Sequence, residues 1–267
     1  MRSFASSRAG VRERVVDSRW TYRLIAFVLF AGAWEFFALR AGTFFVPSFS
    51  QTAAATLELA FDGKVWDAFL LSNQSLVFGF AIAVALGIPI GLAMGRFRGA
   101  EQFTDVYVNI LLVTPMAAII PLLLMSLGFT LASRVVLVTL FVIAMVIVNS
   151  RAGVRQVDVS LLEMAHSYGA SEWQVWRRVL LPAALPAIMT GVRIGLGRAI
   201  TGMVIVELLM VSVGIGNLIL RYRGFFEYDR LYATVVLVVI EALVLIAVAR
   251  AVERRVTRWV PAGGLRD

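Results

Sequence analysis

Long apolar runs recur along this chain, and they limit what it can fold into. A helix needs about 20 mostly apolar residues to cross the hydrocarbon core of a membrane. Six stretches reach or approach that length: residues 24–39, 70–94, 106–127, 131–148, 183–211 and 231–249. No alternating apolar–polar pattern recurs, so strands are not expected. The expectation is an all-α integral membrane protein with six transmembrane helices. Composition agrees, since 60% of the 267 residues are hydrophobic and only 16% are charged. A water-soluble domain of that length could not bury so much apolar surface.

Chemistry is also bounded. The chain has no cysteine, which excludes disulfides, thiolate nucleophiles and Cys-ligated metal. Its single histidine, His166, leaves little for a metal site or a catalytic triad. No clustered His, Asp or Cys marks an integral membrane enzyme. No catalytic residue, no metal site and no cofactor are therefore expected in this chain.

The net charge is +8 and nearly all of it is arginine. In a membrane protein such a balance reports orientation rather than a nucleic-acid partner, and none is expected. With the N-terminus inside, seventeen of the 25 basic residues fall on the inner side and six on the outer side. Arg193 and Arg198 lie within the fifth run. The asymmetry places both termini in the cytoplasm. The layout is a basic N-terminal segment at 1–23, a membrane domain at 24–249 and a basic tail at 250–267. The first run is expected as a retained helix rather than a cleaved signal peptide, because its basic leader is long and Glu35 interrupts it. Between the first two runs, Ala54, Leu57 and Phe61 stand at helical spacing and predict a short interfacial helix over 52–61.

The most informative segment is the loop at 150–182, which the charge rule places in the cytoplasm. Ser160 and Glu163 have capping-box spacing, so a helix is expected over 161–168. Gly169 stands where a left-handed C-cap residue is wanted. Ser171 and Gln174 repeat the spacing and open a second helix, which Leu181-Pro182 ends or kinks. The product is a helix–glycine–helix knob with Trp173 and Trp176 at its base.

Glu163-Met164-Ala165, three residues, Gly169, nine residues, then Val179-Leu180-Leu181-Pro182 resembles the signature loop of ABC importer permeases. That signature reads Glu-Ala-Ala, three residues, Gly, nine residues, Ile-x-Leu-Pro. Met164 replaces the first of its alanines and Val179 its isoleucine, and both swaps stay apolar. The resemblance covers roughly residues 70–259. It implies the type I importer permease fold, with the loop as a coupling helix docked in a groove on a separate ATP-binding subunit. Glu163 would pair with a basic residue there, Gly169 would permit the bend, and Leu162 and Ala165 would pack. Leu181 and Pro182 close the motif. ATP and Mg would be bound by that partner, in line with the lack of a G-x-x-x-x-G-K-[ST] phosphate loop here. An external solute-binding protein would deliver cargo.

Gly191-Val-Arg193-Ile-Gly195, Gly197-Arg198-Ala199, Glu207 and Gly214-Ile-Gly216-Asn217-Leu218-Ile219 are similar to the permease group for nitrate, sulfonate, taurine, bicarbonate and thiamine-precursor pyrimidines. That group implies a homodimer of this chain with two ATP-binding subunits in a bacterial inner membrane. A small anionic cargo is expected. An aromatic or pyrimidine-type cargo is the alternative, and a self-sufficient secondary transporter is a more distant one.

Ionisable groups within a span usually face the bundle interior or a water-filled path. Arg193, Arg198 and Glu207 are therefore candidates for the translocation path. The competing reading is structural ion pairing, with Glu35 and Glu241 as possible partners for the arginines. Gly87, Gly91, Gly95, Gly191 and Gly195 stand at four-residue spacing and suit close helix approach within one bundle. Pro89, Pro115 and Pro121 are expected to kink their spans.

Overall fold

A computed structural model describes residues 19–42, 44–210 and 213–259. Most of the expected basic N-terminal segment, Val211 at the end of the fifth run, and the tail beyond Trp259 lie outside the described residues. Every regular element among the described residues is a helix. In chain order these are α1 (Arg19–Ala41), α2 (Phe49–Ala60), α3 (Gly63–Arg96), α4 (Arg98–Val113), α5 (Met116–Leu127), α6 (Leu131–Arg155), α7 (Val159–Ser167), α8 (Glu172–Val175), a π-turn (Trp176–Leu180), α9 (Leu181–Met210), α10 (Gly214–Gly224) and α11 (Tyr228–Val256). Five helical stretches are long and apolar enough to cross a membrane, and the pair α4–α5 makes a sixth if it counts as one broken span.

The kink expected at Pro115 is present, and it is sharp enough to break the third span into two helices. Its two halves meet at 101°. Pro115 has no N–H to donate and forces the preceding residue out of the helical region. Thr114 accordingly sits extended, at φ −68° and ψ 127°. Pro89 and Pro121, by contrast, lie inside continuous helices.

The chain forms two compact units. In the first, residues 1–62 and 221–236, α2 starts on a complete capping box between Ser48 and Gln51. Glu35 of α1 accepts the Ser50 N–H at 3.1 Å and its hydroxyl at 3.0 Å. The carboxylate therefore sits at the positive end of α2 rather than beside a span arginine. The Trp34 indole donates to the Pro47 carbonyl at 3.1 Å. The α2 helix buries Thr52, Ala55 and Leu59 and leaves Leu57 and Phe61 exposed. An exposed apolar stripe of that kind suits a helix lying in the membrane interface.

The second unit, residues 63–220 and 237–267, is organised around α6, which packs against both α3 and α9. Small residues decide how closely. A Cβ on Gly79, Gly87, Gly91 or Gly95 of α3 would collide with Val138, Val146, Ser150 or Val154 of α6. Gly191, Gly195 and Gly202 of α9 stand in the same relation to Asn149, Val142 and Phe141. The five glycines picked out by spacing therefore serve packing within one chain. In a membrane, where helices gain little from hydrophobic burial against each other, such close approach supplies the packing energy.

Candidate functional site

The knob forms as the motif predicts, with a shifted start. Asp158, not Ser160, caps α7, its carboxylate accepting the Ser160 N–H at 2.9 Å. The helix thus begins two residues early, because Asp158 offers an oxygen to the first turn before Ser160 can. Hydrogen bonding to Ser160 lowers the Asp158 pKa. At the other end, Gly169 has φ +72°. Its N–H reaches the His166 carbonyl at 2.9 Å, and the Ala170 N–H reaches the Ala165 carbonyl at 3.0 Å. That pair of bonds is a Schellman motif, which reverses the chain only when its C′ residue is left-handed. Ser171 and Gln174 then form the expected capping box for α8.

The second helix does not stop at Pro182. It widens into the π-turn, where the Leu181 N–H bonds to the Trp176 carbonyl, and continues as α9. Proline in a helix interior leaves one carbonyl without its donor, and a π-turn redistributes the bonds around that gap. The second helix of the knob is therefore continuous with the fifth span.

Beneath it, Val154, Val157, Ala165, Val175, Leu180, Ala184 and Ile188 form one buried apolar cluster, with Leu162 and Trp176 packed against it. Ala165 and Leu162 are the inward residues of α7. Glu163 and Gly169 are exposed, as are Leu161, Met164, Tyr168 and Trp173. The knob thus presents a mixed apolar and acidic face from a buried seat. One polar chain braces it: His166 Nε2 lies 3.2 Å from Glu172 Oε1, and Arg96 at the end of α3 donates to Glu172 Oε2 at 3.1 Å. The hydrogen bond to Glu172 raises the His166 pKa, and the bond from His166, with a second from Arg96, lowers that of Glu172. Nearby, Arg151 pairs with Glu101 and Asp105, and Arg155 with Glu101. These contacts fix the end of α6 to α4.

The three charged residues of the fifth span go to three different places. Arg193 meets Glu253 of α11, with Nε 3.2 Å from Oε2. Glu207 is fully buried. It accepts from the Ser72 hydroxyl at 2.7 Å and from the Gly216 N–H at 3.1 Å. Arg134 Nη1 stands 3.7 Å from its other oxygen, within ion-pair reach but too far for a hydrogen bond. Ser72 in turn accepts the Ile215 N–H at 2.9 Å. One carboxylate thereby ties α9 to α3, α6 and the start of α10. Arg198 is exposed, on a face shared with Ile194 and Thr201, and no acid pairs with it among the described residues.

Glu241 takes no span arginine either. It accepts from the Asn73 amide at 2.5 Å, beside an apolar cleft of about 280 Å³ lined by Trp66, Phe69 and Leu237. Arg134 and Ser72 were missed as partners of Glu207 in reading the sequence. The signal for Arg134 was present, because an arginine four residues into an apolar run needs a buried acid. Ser72 carried no comparable mark.

A family model described as the binding-protein-dependent transport system inner membrane component matches residues 83–258. The chain belongs to that family. The permease is 32% identical over 220 residues to the taurine transport system permease protein TauC of Escherichia coli strain K12, covering 80% of each chain. It is 30% identical over 222 residues to SsuC of the same organism, a protein named for aliphatic sulfonates transport, covering 83% of this chain and 84% of that one. It is 29% identical over 216 residues to the riboflavin transport system permease protein RibX of Chloroflexus aurantiacus, covering 81% of each. In structure it resembles a chain of the inward-facing MetNI methionine ABC transporter, with TM-score 0.58, 23% identity, and coverage of 72% of this chain and 94% of that one. The likeness establishes a shared type I importer fold. The permease is thus a multi-pass inner-membrane component of a binding-protein-dependent transport system.

Proposed function

We propose that the permease works as a homodimer, moves a small anionic solute inward by alternating access, and is driven by two ATP-binding subunits that grip α7. The observation that carries the coupling role is the knob itself. Glu163 stands exposed on a short helix whose other face, Ala165 and Leu162, is locked onto the base of the fifth span. Force applied to such a helix reaches α9 through that buried packing, and α8 runs into α9 through the π-turn. The arginine asymmetry supports a cytoplasmic position for the knob and for both termini, and an external binding protein would supply cargo from the other side.

For the path, the pairing pattern favours Arg198. Arg193 has Glu253, and Glu207 has Arg134 and Ser72. Arg198 lies about 26 Å along α9 from Leu181 and about 18 Å from Met210. An unpaired guanidinium at that depth is costly against lipid and is stable against water, an anion or a second copy. Anionic cargo is also supported by the relatives named for taurine and for aliphatic sulfonates. The relative named for riboflavin keeps an aromatic cargo as the second reading.

Reconstitution with its ATP-binding partner tests the coupling role. Glu163→Ala and Gly169→Val are expected to abolish binding-protein-stimulated ATP hydrolysis while the membrane fold persists. Normal transport by both variants would overturn the role assigned to the knob.

A further inference from the structure

The last turns of α11 and the turn after them carry an exposed basic stripe. The apolar stretch at 231–249 would span about 28 Å as a helix, close to the roughly 30 Å hydrocarbon thickness. Arg250 is the first residue past it, and Arg254 and Arg258 follow at four-residue spacing, with Arg255 between them. All four are exposed. Among the described residues none of them has an acidic partner, whereas the neighbouring Glu253 is drawn inward by Arg193 of α9. Glu253 thus faces α9 while the arginines face outward. Arg254 stands about 6 Å beyond Arg250 along the axis, within the headgroup layer, and long arginine side chains can reach back toward it from further out. Trp259, also exposed, follows in the turn after α11, and tryptophan is a ring type favoured at membrane interfaces.

We propose that this stripe is a binding site for anionic phospholipid headgroups, which clamps the end of α11 at the membrane surface. Guanidinium groups suit the ligand because they engage phosphate oxygens bidentately. An anionic phospholipid offers a phosphodiester whose charge no headgroup cation offsets, which a zwitterionic lipid cannot. Juxtamembrane basic groups each strengthen attraction to an anionic leaflet by about fivefold, so three together supply about a hundredfold.

The test uses the full chain in mild detergent, with phosphatidylglycerol or phosphatidylcholine added and bound lipid read by native mass spectrometry. Phosphatidylglycerol is expected to be retained about a hundredfold more strongly than phosphatidylcholine, and high salt should remove most of that preference. Arg250→Gln/Arg254→Gln/Arg258→Gln should abolish it while thermal stability in phosphatidylcholine stays unchanged. If the triple variant fails to fold, Arg254→Gln alone should reduce it about fivefold. Arg221→Gln/Arg223→Gln, which removes two exposed charges elsewhere, should leave it within about twofold. Equal retention of both lipids, an unaffected triple variant, or an equal loss in the Arg221/Arg223 variant would overturn the proposal. So would a triple variant that keeps the lipid but loses a co-purifying ATP-binding subunit, since the stripe would then be a protein-docking surface.

Discussion

Glu207 shows how a single residue can be legible in kind and illegible in role. An acid inside an apolar run must have a partner, and that much follows from the sequence. Which partner it has depends on three helices meeting around it. Ser72 comes from 135 residues upstream and Arg134 from α6, with α7 and α8 between it and α9, and no spacing rule links them. Removing one member of a buried pair costs about 3–5 kcal/mol. Glu207→Ala is therefore expected to lower the thermal unfolding temperature sharply, and Glu207→Ala/Arg134→Ala should lose less than the sum of the two single variants. Strict additivity would show that the two charges do not interact. His166 offers a milder test at the same scale. Its pKa is raised above the ordinary 6.5, and that of Glu172 is lowered below the ordinary 4.5. The contribution of His166 is complete below 6.5 and fades as pH rises through its raised value. That of Glu172 is complete above 4.5 and fades as pH falls through its lowered value. The bridge is thus strongest between these limits. Glu172→Gln should move the His166 titration, followed by imidazole NMR, to lower pH, and an unmoved midpoint would mean the contact is absent in solution.

Among the elements, the knob was the most legible, because capping is local. Ser171, Gln174 and Gly169 act within a few residues of one another, so their spacing carries the geometry. The π-turn was not legible. Pro182 signals a break, and only the cluster around Val175, Leu180 and Ala184 holds the chain straight enough to continue past it. The stripe of glycines on α3 was legible as a stripe, and the structure shows what it meets. Gly91 faces the Ile147 carbonyl, with Ser150 Cβ 2.6 Å from any added Cβ. Overpacking of this kind costs about 1–3 kcal/mol, and more where backbone must move. Gly91→Val should reduce the yield of folded protein in size-exclusion chromatography, while Gly99→Ala, whose Cβ would meet nothing within 4 Å, should leave it unchanged. Equal yields from both would mean that α3 and α6 are not held at this distance.

At the largest scale, the second unit joins the knob, the π-turn, α9 and the Glu207 contacts to α3, α6 and the start of α10 end to end. In a homodimer with two ATP-binding subunits, closing those subunits would pull on both knobs at once. Mass measurement of the purified complex should show two copies of this chain, and a single copy beside a different permease would reject the homodimer. On the same complex, Arg198→Gln should cut transport of a confirmed anion at least several-fold with basal ATP hydrolysis intact, while Arg193→Gln, which strips Glu253 of its partner, should mainly lower stability. Unchanged transport in Arg198→Gln would remove the electrostatic path. The residue order alone determined that this chain spans a membrane, where its knob lies along the sequence and how Gly169 and Ser171 cap it, because each follows from hydropathy or from hydrogen bonds a few residues apart. Only the tertiary structure decided that Arg193 pairs with Glu253, that Glu35 serves α2, and that the third span breaks at a right angle. Those outcomes depend on which helices approach, and approach is set by small residues whose partners lie far along the chain.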